Sequence, residues 1–296
     1  MLPAAGTGAA DGYLMSSPHA EPHNFADLLT LARDAAQGAG DLLRAGWGTA
    51  LDIETKSSST DSVTNMDRAA EQLIVDIILT ARPEDGILGE EGGSRPASSG
   101  VRWVIDPLDG TTNYIYGLSN WAVSIAAGVL ATPGDESSMW TALAGVVHLP
   151  AQSTTYIAHR GGGATRIDDT KARSMTPSGC EALGQALVGT GFSYDGVRRA
   201  DQGRVVAELL PRVRDIRRFG AASIDLCLVA DGRIDAFYES GLAPWDRAAG
   251  ELIAREAGAD IREITEKRDG DAEPILLVSA PGIGDALADL ITSVRR

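Results

Sequence analysis

The 296-residue chain has little of what marks secreted or membrane proteins. It contains two cysteines, Cys180 and Cys227, which are too few for a disulfide framework, so we expect a reducing, cytoplasmic environment. No apolar run approaches the roughly 20 residues of a membrane-spanning helix. The first residues lack a basic segment followed by a long apolar one, the pattern of a signal peptide. Their Gly, Ala, Ser and Pro content predicts a disordered tail over residues 1–23.

Basic residues and histidines are also scarce. Lys and Arg total 26 against 41 Asp and Glu, which gives a formal net charge of −15. This excess of negative charge repels nucleic acid and anionic membranes, so neither is expected as a partner. The four histidines lie outside the motifs described below. The carboxylates are therefore the candidate catalytic or metal-binding side chains.

The patterning of apolar residues predicts a single unit over residues 24–296, made of two closely packed α/β halves. An apolar content of 44% allows a sizeable core. Asn24 is a typical cap for a helix over 25–46, and helical spacing of apolar residues predicts a second helix that ends before Pro83. Helices lead, a run of strands fills roughly 121–164, and mixed helices and strands end the chain. This order is typical of layered sheets and helices, an α+β arrangement.

Further elements are predicted in the second half of the chain. The segment "GQALVGTG" is typical of a strand, and a helix is expected near 200–214, shortened or kinked by Pro211. The segment "ASIDLCLVADG" predicts a buried helix and "RIDAFYE" a strand. The segment "PWDRAAGELIAREAG" is opened by proline and closed by glycine, as helices often are.

The segment "WVIDPLDGTTNY", residues 103–114, holds two aspartates at fixed spacing. We expect Asp106 and Asp109 to lie where a strand ends, with Pro107 restricting the backbone between them. The carbonyl of Leu108 can face the same point, and hard divalent cations prefer such oxygen ligands. A turn in which the aspartates cap backbone N–H groups explains the two residues equally well when they are taken alone.

Four other acids lie at the ends of predicted elements, and Glu90, Glu91 and Asp246 have ordinary explanations when each is taken alone. Glu90 and Glu91 precede two glycines at the end of an apolar run, where solvent commonly separates such a pair. Asp246 lies in the first turn of a predicted helix, where an acid offsets the helix dipole. Glu239 ends the strand just upstream and suggests the wall of a pocket.

Taken together, these acids at element ends indicate an oxygen-ligand site for more than one metal ion. The segment "DGTTNY" supplies an anion-binding turn beside it, because Gly110 permits close backbone approach. The N–H groups of Gly110, Thr111 and Thr112 can face an anion if a helix starts there. Metal beside phosphate is the arrangement of two-metal phosphoester hydrolysis.

The motifs resemble those of the inositol monophosphatase family. The segments "GEEGG", "WVIDPLDGTTNY" and "PWDRAAGELIAREAG" look like its three signature segments. The segments "KSSSTDSVTNMD" and "GAASIDLCLVADGRIDAFYE" resemble two further stretches, in the same order, over about residues 25–295. The resemblance implies a layered α/β/α/β/α sandwich of the inositol monophosphatase and fructose bisphosphatase type.

The same resemblance implies a Mg²⁺-dependent, lithium-sensitive phosphomonoesterase with two to three Mg²⁺ ions, commonly a homodimer. Glu90, Asp106 and the Leu108 carbonyl would hold one ion, and Asp106, Asp109 and Asp246 a second. A third, looser ion would lie near Glu90 with waters. Thr111 together with Glu90 would orient and activate the attacking water.

The resemblance also implies the contacts to a small-molecule phosphate ester. The turn from Gly110 to Thr112 would hold the phosphate group. Glu239 and the backbone of Gly220, Ala221 and Ala222 would contact substrate hydroxyls, although the family usually has Ser or Thr where this chain has Ala221. Lys56 and Asp67 would support the loop near the metal, and Glu91 matches the motif without a defined role.

Inositol 1-phosphate is the leading candidate substrate, and several alternatives stay open. Histidinol phosphate, fructose 1,6-bisphosphate and 3′-phosphoadenosine phosphates are hydrolysed by the same metal chemistry. A bisphosphate would need extra cations, which Arg217, Arg218 and Arg247 can offer. A different class of function, a non-catalytic regulatory partner protein, is disfavoured because every expected metal-binding acid is present.

Overall fold

The structure, a computed structural model, describes residues 24–55, 62–132, 139–265 and 274–295. The tail predicted over residues 1–23 and the predicted support residue Lys56 lie outside these ranges. The helices of the described part are α1 Phe25–Gly46, α2 Asn65–Ala81, α3 Thr111–Ile115, α4 Gly196–Leu209, α5 Ala222–Ala230, α6 Pro244–Ala257 and α7 Gly284–Arg295.

The strands of the described residues form three sheets. A two-stranded ribbon pairs β1 Ile53–Thr55 with β2 Ser62–Thr64. The strands of the large sheet are β3 Gly86–Gly89, β4 Ser94–Arg95, β5 Val101–Asp109, β6 Ala122–Leu130, β7 Trp140–Leu149, β8 Thr154–His159, β9 Ala164–Asp168 and β10 Lys171–Ser174. The strands of the small sheet are β11 Leu187–Thr190, β12 Asp215–Arg217, β13 Ala236–Ser240, β14 Asp260–Ile264 and β15 Ile275–Ser279.

The two larger sheets differ in connection. The large sheet has the order β10-β9-β8-β7-β6-β5-β3-β4 and is antiparallel except for the parallel pair β3 and β5. The small sheet has the order β12-β11-β13-β15-β14, in which β11 runs parallel to both β12 and β13. Parallel neighbours require crossover connections, and these bring strand ends from distant parts of the chain to one edge.

The two larger sheets and the helices that cover them form five layers. Helices α1 and α2 cover one face of the large sheet, where they bury residues such as Leu28 and Ile74 against Trp103. Helices α5 and α6 fill the space between the two sheets, and α4 and α7 cover the outer face of the small sheet. Successive residues of β5 serve different layers, because Val104 faces α5 and α6 while Trp103 and Ile105 face α1 and α2. The predicted α/β/α/β/α order is confirmed.

Local chemistry explains where several helices begin and end. The Asn24 side chain accepts a hydrogen bond from the Ala26 N–H at 3.1 Å, so the predicted cap of α1 is confirmed. Helix α4 begins earlier than predicted, because the Asp195 side chain caps it by accepting from the N–H groups of Val197 and Arg198. It ends at Leu209, ahead of the proline at 211, as predicted.

Two predictions about the environment can be compared with the described residues. Both cysteines are free, and Cys227 is fully buried in α5, as its apolar surroundings predicted. None of the helices in the described ranges is long and apolar enough to cross a bilayer.

Candidate active site

The parallel pair β3 and β5 brings the first group of acids together. Both strands end at the same edge of the large sheet, where Glu90 follows β3 and Asp109 ends β5. The Glu90 N–H continues the pairing by donating to the Ile105 carbonyl at 3.2 Å. Residues separated in sequence thus meet because the strands that carry them are neighbours.

Asp106 does not lie at the end of its strand, as the sequence predicted, but within it. The pairing of β5 with β6 shifts between Asp106, which lies opposite Ser124, and Asp109, which lies opposite Ala122. Such an irregularity bends a strand and redirects its side chains. The prediction was wrong about the position because Pro107 interrupts the pairing without ending the strand. The shift turns both carboxylates toward one cavity.

The second group of residues comes from the layers beyond the large sheet. Strands β11 and β13 run parallel, so Gly191 and Glu239 lie near one edge of the small sheet. The N-terminal ends of α5 and α6 point at the same place, with Ala221 and Ala222 in one and Asp246 in the other. Helix N-termini carry partial positive charge and favour anions.

These elements enclose a cavity of about 140 Å³. Of the predicted residues, its wall contains Glu90, Asp106, Leu108, Asp109, Gly110, Thr111, Gly220, Ala221, Ala222, Glu239 and Asp246. Its wall also contains Gly191, Phe192, Tyr194, Arg218, Asp225 and Leu242. The structure therefore brings most of the predicted site residues to one place, although they span more than half of the chain.

Three predicted residues are not part of that wall. Among the described residues that form it, Thr112, Glu91 and Asp67 are absent. The Thr112 side chain is exposed, so any phosphate contact from it would use the backbone. The Glu91 N–H donates to the Glu71 carboxylate at 2.8 Å, and so does the Gly93 N–H. Glu71 thereby holds the loop that carries Glu90.

Asp67 does not line the cavity but accepts a hydrogen bond from Thr111, which does. The Thr111 hydroxyl lies 2.9 Å from Asp67 Oδ1 and 3.0 Å from the Leu108 carbonyl, and its single hydrogen is shared between these acceptors. Asp67 itself caps α2, where it accepts from the Thr64 N–H at 2.9 Å. Burial raises the pKa of this carboxyl group, and the hydrogen bonds from Thr64 and Thr111 oppose the rise. The contact ties the start of α2 to the anion-binding turn.

Gly110 is required by both its conformation and its surroundings. Its φ of 88° is in the left-handed region, and a Cβ added there would lie 2.8 Å from the Asn120 carbonyl oxygen. A side chain would therefore meet backbone that cannot easily move. The turn keeps the peptide of Gly110 and Thr111 at the cavity wall.

Electrostatic repulsion is strong among the acids of the wall. Burial raises the pKa of Asp106 well above its usual value, and the charges of Glu90, Asp109 and Asp246 raise it further. Burial also raises the pKa of Asp109 to about 6, although hydrogen bonds from Ser223 oppose the shift. The pKa of Asp246 is raised by burial and then by Asp109. Glu239 behaves similarly, and burial raises its pKa to about 7.

The wall fits a divalent cation in its donor atoms and its charge. Among the described residues, it holds six carboxylate side chains and one cationic side chain, Arg218. Glu90 hydrogen-bonds to the Asp106 carboxyl group, which requires a shared proton. A metal ion would replace that proton and remove the repulsion, since metal ligands bind in their deprotonated form. Hard oxygen donors are those that Mg²⁺ prefers.

The acids nevertheless hydrogen-bond to the protein and do not form a complete metal-binding site. Asp109 accepts from the Ser223 N–H at 2.8 Å, Asp106 from the Leu108 N–H at 3.0 Å, and Asp246 from the Ala243 N–H at 2.7 Å. No group of three or more His, Cys, Asp or Glu side chains among the described residues is arranged to hold a metal as it stands. Binding would therefore require side-chain rotation, above all separation of Glu90 from Asp106.

Sequence reasoning missed Asp225 and did not place Arg218. An acid inside the apolar run "ASIDLCLV" was a usable signal, because a carboxylate on a helix that is buried all round must lie buried as well. The glycines of "LVGTG" were another signal, since glycine in a strand marks close approach of another group. Arg218 was considered only as one of three candidate cations, and the structure puts it alone at the wall. Arg247 pairs with Glu251 and Glu263 instead.

A larger cavity of about 840 Å³ lies along α6, away from the acids. Ion pairs such as Arg247–Glu251 and Arg255–Glu251 line it together with Trp140 and Leu252. Its glutamates are held by arginines or by backbone N–H groups and do not form an unneutralised acidic cluster, so its size does not indicate a catalytic role. The smaller, acidic cavity is the candidate active site.

Comparison with known proteins agrees with this geometry. Residues 25–295 match the model of the inositol monophosphatase family. The inositol-1-monophosphatase SuhB of Mycobacterium tuberculosis is 44% identical over 250 residues, covering 82% of each chain. The Nus factor SuhB of Escherichia coli is 39% identical over 241 residues, covering 80% of this chain and 85% of that one. The solved structure of Mycobacterium tuberculosis SuhB superposes with a TM-score of 0.75 at 37% identity, covering 92% of this chain and 98% of that one.

Proposed function

Because the chain belongs to the inositol monophosphatase family, we propose that it is a Mg²⁺-dependent phosphomonoesterase that hydrolyses a small polyol phosphate. Inositol 1-phosphate is the first candidate, since a relative at 44% identity is named an inositol-1-monophosphatase. The observation that carries the proposal is the gathering of Glu90, Asp106, Asp109 and Asp246 around one cavity beside the Gly110 turn.

Two to three Mg²⁺ ions are proposed for this cavity. Glu90, Asp106 and the Leu108 carbonyl would hold one, and Asp106, Asp109 and Asp246 another, with a looser ion near Glu90. When bound, such ions act as Lewis acids on the phosphoryl group and make bound water more acidic. The raised pKa values of Asp106 and Asp109 support this, because a buried carboxylate cluster without cations is unstable.

The remaining catalytic work belongs to Thr111 and its partners. Its hydroxyl is held by Asp67 and the Leu108 carbonyl, which fixes its orientation at the wall. With Glu90 it would orient the attacking water toward the phosphorus atom. The N–H groups from Gly110 to Thr112 would hold the phosphate oxygens at the start of α3. No cysteine or serine nucleophile is required for this direct attack by water.

Substrate hydroxyls are proposed to contact Glu239 and the backbone at Gly220, Ala221 and Ala222. Replacement of the family's usual Ser or Thr by Ala221 leaves a backbone contact intact. Arg218 supplies one cation at the wall, while Arg217 pairs with Asp215 and Arg247 with Glu251. A bisphosphate could use Arg218 as the partner of its second phosphate, so fructose 1,6-bisphosphate stays open as well. Histidinol phosphate and 3′-phosphoadenosine phosphates stay as alternatives.

We also propose a cytoplasmic homodimer. Tyr116 and Leu118 follow α3 and are 78% and 56% exposed, which offers apolar surface for contact with a second copy. A regulatory role comes from a different relative, the Nus factor SuhB of Escherichia coli. Intact candidate metal ligands and the net charge of −15 favour catalysis over direct RNA contact in this chain.

The test is a substrate panel with purified protein, Mg²⁺ and a Li⁺ arm. We expect a polyol phosphate to give the highest kcat/KM among inositol 1-phosphate, histidinol phosphate, fructose 1,6-bisphosphate and 3′-phosphoadenosine phosphate. Activity should require Mg²⁺ and fall with Li⁺. The phosphatase activity of Asp109→Asn should fall by more than the roughly 10–100-fold that removal of a second-sphere partner of a metal ligand costs. Its unfolding should stay cooperative. Retained activity in that variant would contradict the metal assignment.

A further inference from the structure

Asp225 is a buried carboxylate that the proposed metal and phosphate contacts do not use. It lies on α5, its side chain is 1% exposed, and it forms part of the cavity wall. Its Oδ1 atom is buried and has no hydrogen-bond partner within the described residues. Burying a carboxylate oxygen without a partner costs stability, so such a group calls for an explanation.

The charges that face Asp225 do not neutralise it within the fold. Glu239 and Asp109 lie near enough to repel it, and Arg218 near enough to attract it, and all three line the same cavity. Arg218 acts on Asp225 only through its charge, and within the described part of the chain Asp225 Oδ1 has no hydrogen bond to it. Because Oδ1 lies against Gly189, the second carboxylate oxygen is the one left to a group that enters the cavity.

Two glycines of β11 and its end make room for this carboxylate and for Glu239. Gly189 and Gly191 are two residues apart and so face the same side of the chain. A Cβ on Gly189 would lie 2.8 Å from Asp225 Oδ1, and a Cβ on Gly191 would collide with the Glu239 carboxylate. The segment "GTG" thus leaves space for two neighbouring acids, Asp225 against Gly189 and Glu239 against Gly191.

We propose that Asp225 is a second substrate-binding carboxylate, which acts with Glu239 to bind adjacent hydroxyl groups of a polyol phosphate. Glycerol-like and ring polyols both present neighbouring hydroxyls, and two carboxyl groups side by side can accept or donate to both. The inference rests on the proposed function, because it assigns the part of that cavity that selects the leaving alcohol. It makes Asp225 a specificity-determining residue and gives the paired glycines a role in substrate selection.

The test compares Asp225→Asn with wild type on two substrates: the polyol phosphate preferred in the panel and p-nitrophenyl phosphate, which has no hydroxyl for Asp225 to bind. We expect kcat/KM to fall by about ten- to hundredfold for the polyol phosphate, the usual effect of losing a hydrogen bond to a charged group. For p-nitrophenyl phosphate the fall should stay below about threefold. Gly189→Ala, which pushes on the carboxylate, should change the ratio in the same direction.

Asp231→Asn is the matched control. Asp231 follows the same helix and also has a buried Oδ1 without a hydrogen bond, but it pairs with Arg166 and Arg173 and is not in the cavity wall. It should lower the melting temperature without changing the ratio of the two kcat/KM values.

The outcomes separate the two proposals. An unchanged ratio in an active Asp225→Asn enzyme would overturn this inference alone, and so would an equal loss on both substrates with a higher Mg²⁺ requirement, which is the signature of a metal ligand. A wild type without phosphatase activity, or without preference for any polyol phosphate, would overturn the proposed function and this inference with it.

Discussion

Asp109 and Glu239 occupy similar places in the cavity wall but are held differently. Asp109 accepts from the Ser223 N–H at 2.8 Å, which stabilises its charged form. Glu239 lies against Gly191, and the nearby charge of Arg218 only partly offsets its burial. Burial consequently raises the pKa of Asp109 to about 6 and that of Glu239 to about 7. Both pKa values are thus raised by similar amounts from the ordinary value of each residue type. The two groups differ in their partners, because Asp109 accepts hydrogen bonds from Ser223 and from the Ala222 N–H, whereas the charge of Arg218 opposes the shift of Glu239.

This shift predicts how Glu239 affects stability in the absence of metal. Its pKa in the folded protein is about 7, above its usual 4.5, so the folded state binds the proton more tightly. Its stabilising contribution is complete below about pH 4.5 and is lost as the pH rises through 7. Relative to wild type, Glu239→Gln should therefore gain stability between pH 5 and pH 8, on the order of 2–4 °C in melting temperature.

The measurement is thermal unfolding in EDTA at a series of pH values. Glu208→Gln, which removes a carboxylate from the exposed surface of α4, controls for the loss of one negative charge. A constant difference between Glu239→Gln and wild type across this range would show that burial does not perturb Glu239.

At the scale of elements, the turn between β5 and α3 positions the site. Strand β5 carries Asp106 and Asp109, and Gly110, with its left-handed φ, is the one residue between this strand and α3, where Thr111 contacts Asp67. Asn113 fastens the turn to the layer beyond, because its amide donates to the Asn120 and Phe219 carbonyls at 2.6 and 2.8 Å. The Phe219 contact places the start of α5 against the turn.

Gly110→Ala should therefore damage both stability and activity. The left-handed φ of 88° costs an alanine about 1–2 kcal/mol, and the approach to the Asn120 carbonyl adds a collision. Gly117→Ala is the matched control, because its φ of 72° imposes the same conformational cost while no atom lies within 4 Å of the added Cβ. We expect kcat for Gly110→Ala to fall at least about tenfold below that of Gly117→Ala.

Chemical denaturation and steady-state kinetics on both variants provide the comparison. Equal losses of stability and activity at the two positions would mean that backbone conformation alone explains Gly110. The close approach to Asn120 would then have no functional consequence.

At the scale of the whole molecule, the site draws its acids from three packed layers. Asp106 and Asp109 belong to the large sheet, Asp246 to a helix of the middle layer, and Glu239 to the small sheet. Their mutual repulsion opposes the packing of these layers in the metal-free protein. Cations bound there would reverse that effect and act as a link between the two halves.

Calorimetry tests this link and the prediction that residues 24–296 form one unit. We expect a single transition, with calorimetric and van't Hoff enthalpies that agree. Mg²⁺ at 100 times its dissociation constant should add about 2.7 kcal/mol to the free energy of unfolding. Asp246→Asn should reduce this gain, because it removes the ligand from the middle layer.

Separate transitions for the two halves would contradict the single unit. A melting temperature that does not respond to Mg²⁺ would contradict cation binding between the layers.

The sequence by itself determined the helices with clear caps and most of the motif residues. Helical spacing and the Asn24 cap defined α1, and the proline and glycine that bound α6 defined that helix, because these signals act within a few residues. The motif "WVIDPLDGTTNY" indicated Asp106, Asp109 and Gly110 as candidates for the same reason. Glu90, Glu239 and Asp246 were candidates because each lies at the end of an element, and the family resemblance then assigned them roles.

Only the tertiary structure decided which partners these residues contact. The shift within β5 that places Asp106 inside the strand depends on its pairing with β6. The bond from Thr111 to Asp67 joins residues 44 positions apart, and the space for Asp225 depends on Gly189 in a different layer. Local patterns report which face of an element is apolar. The partner of a buried polar atom is set by the packing of sheets and helices distant in sequence.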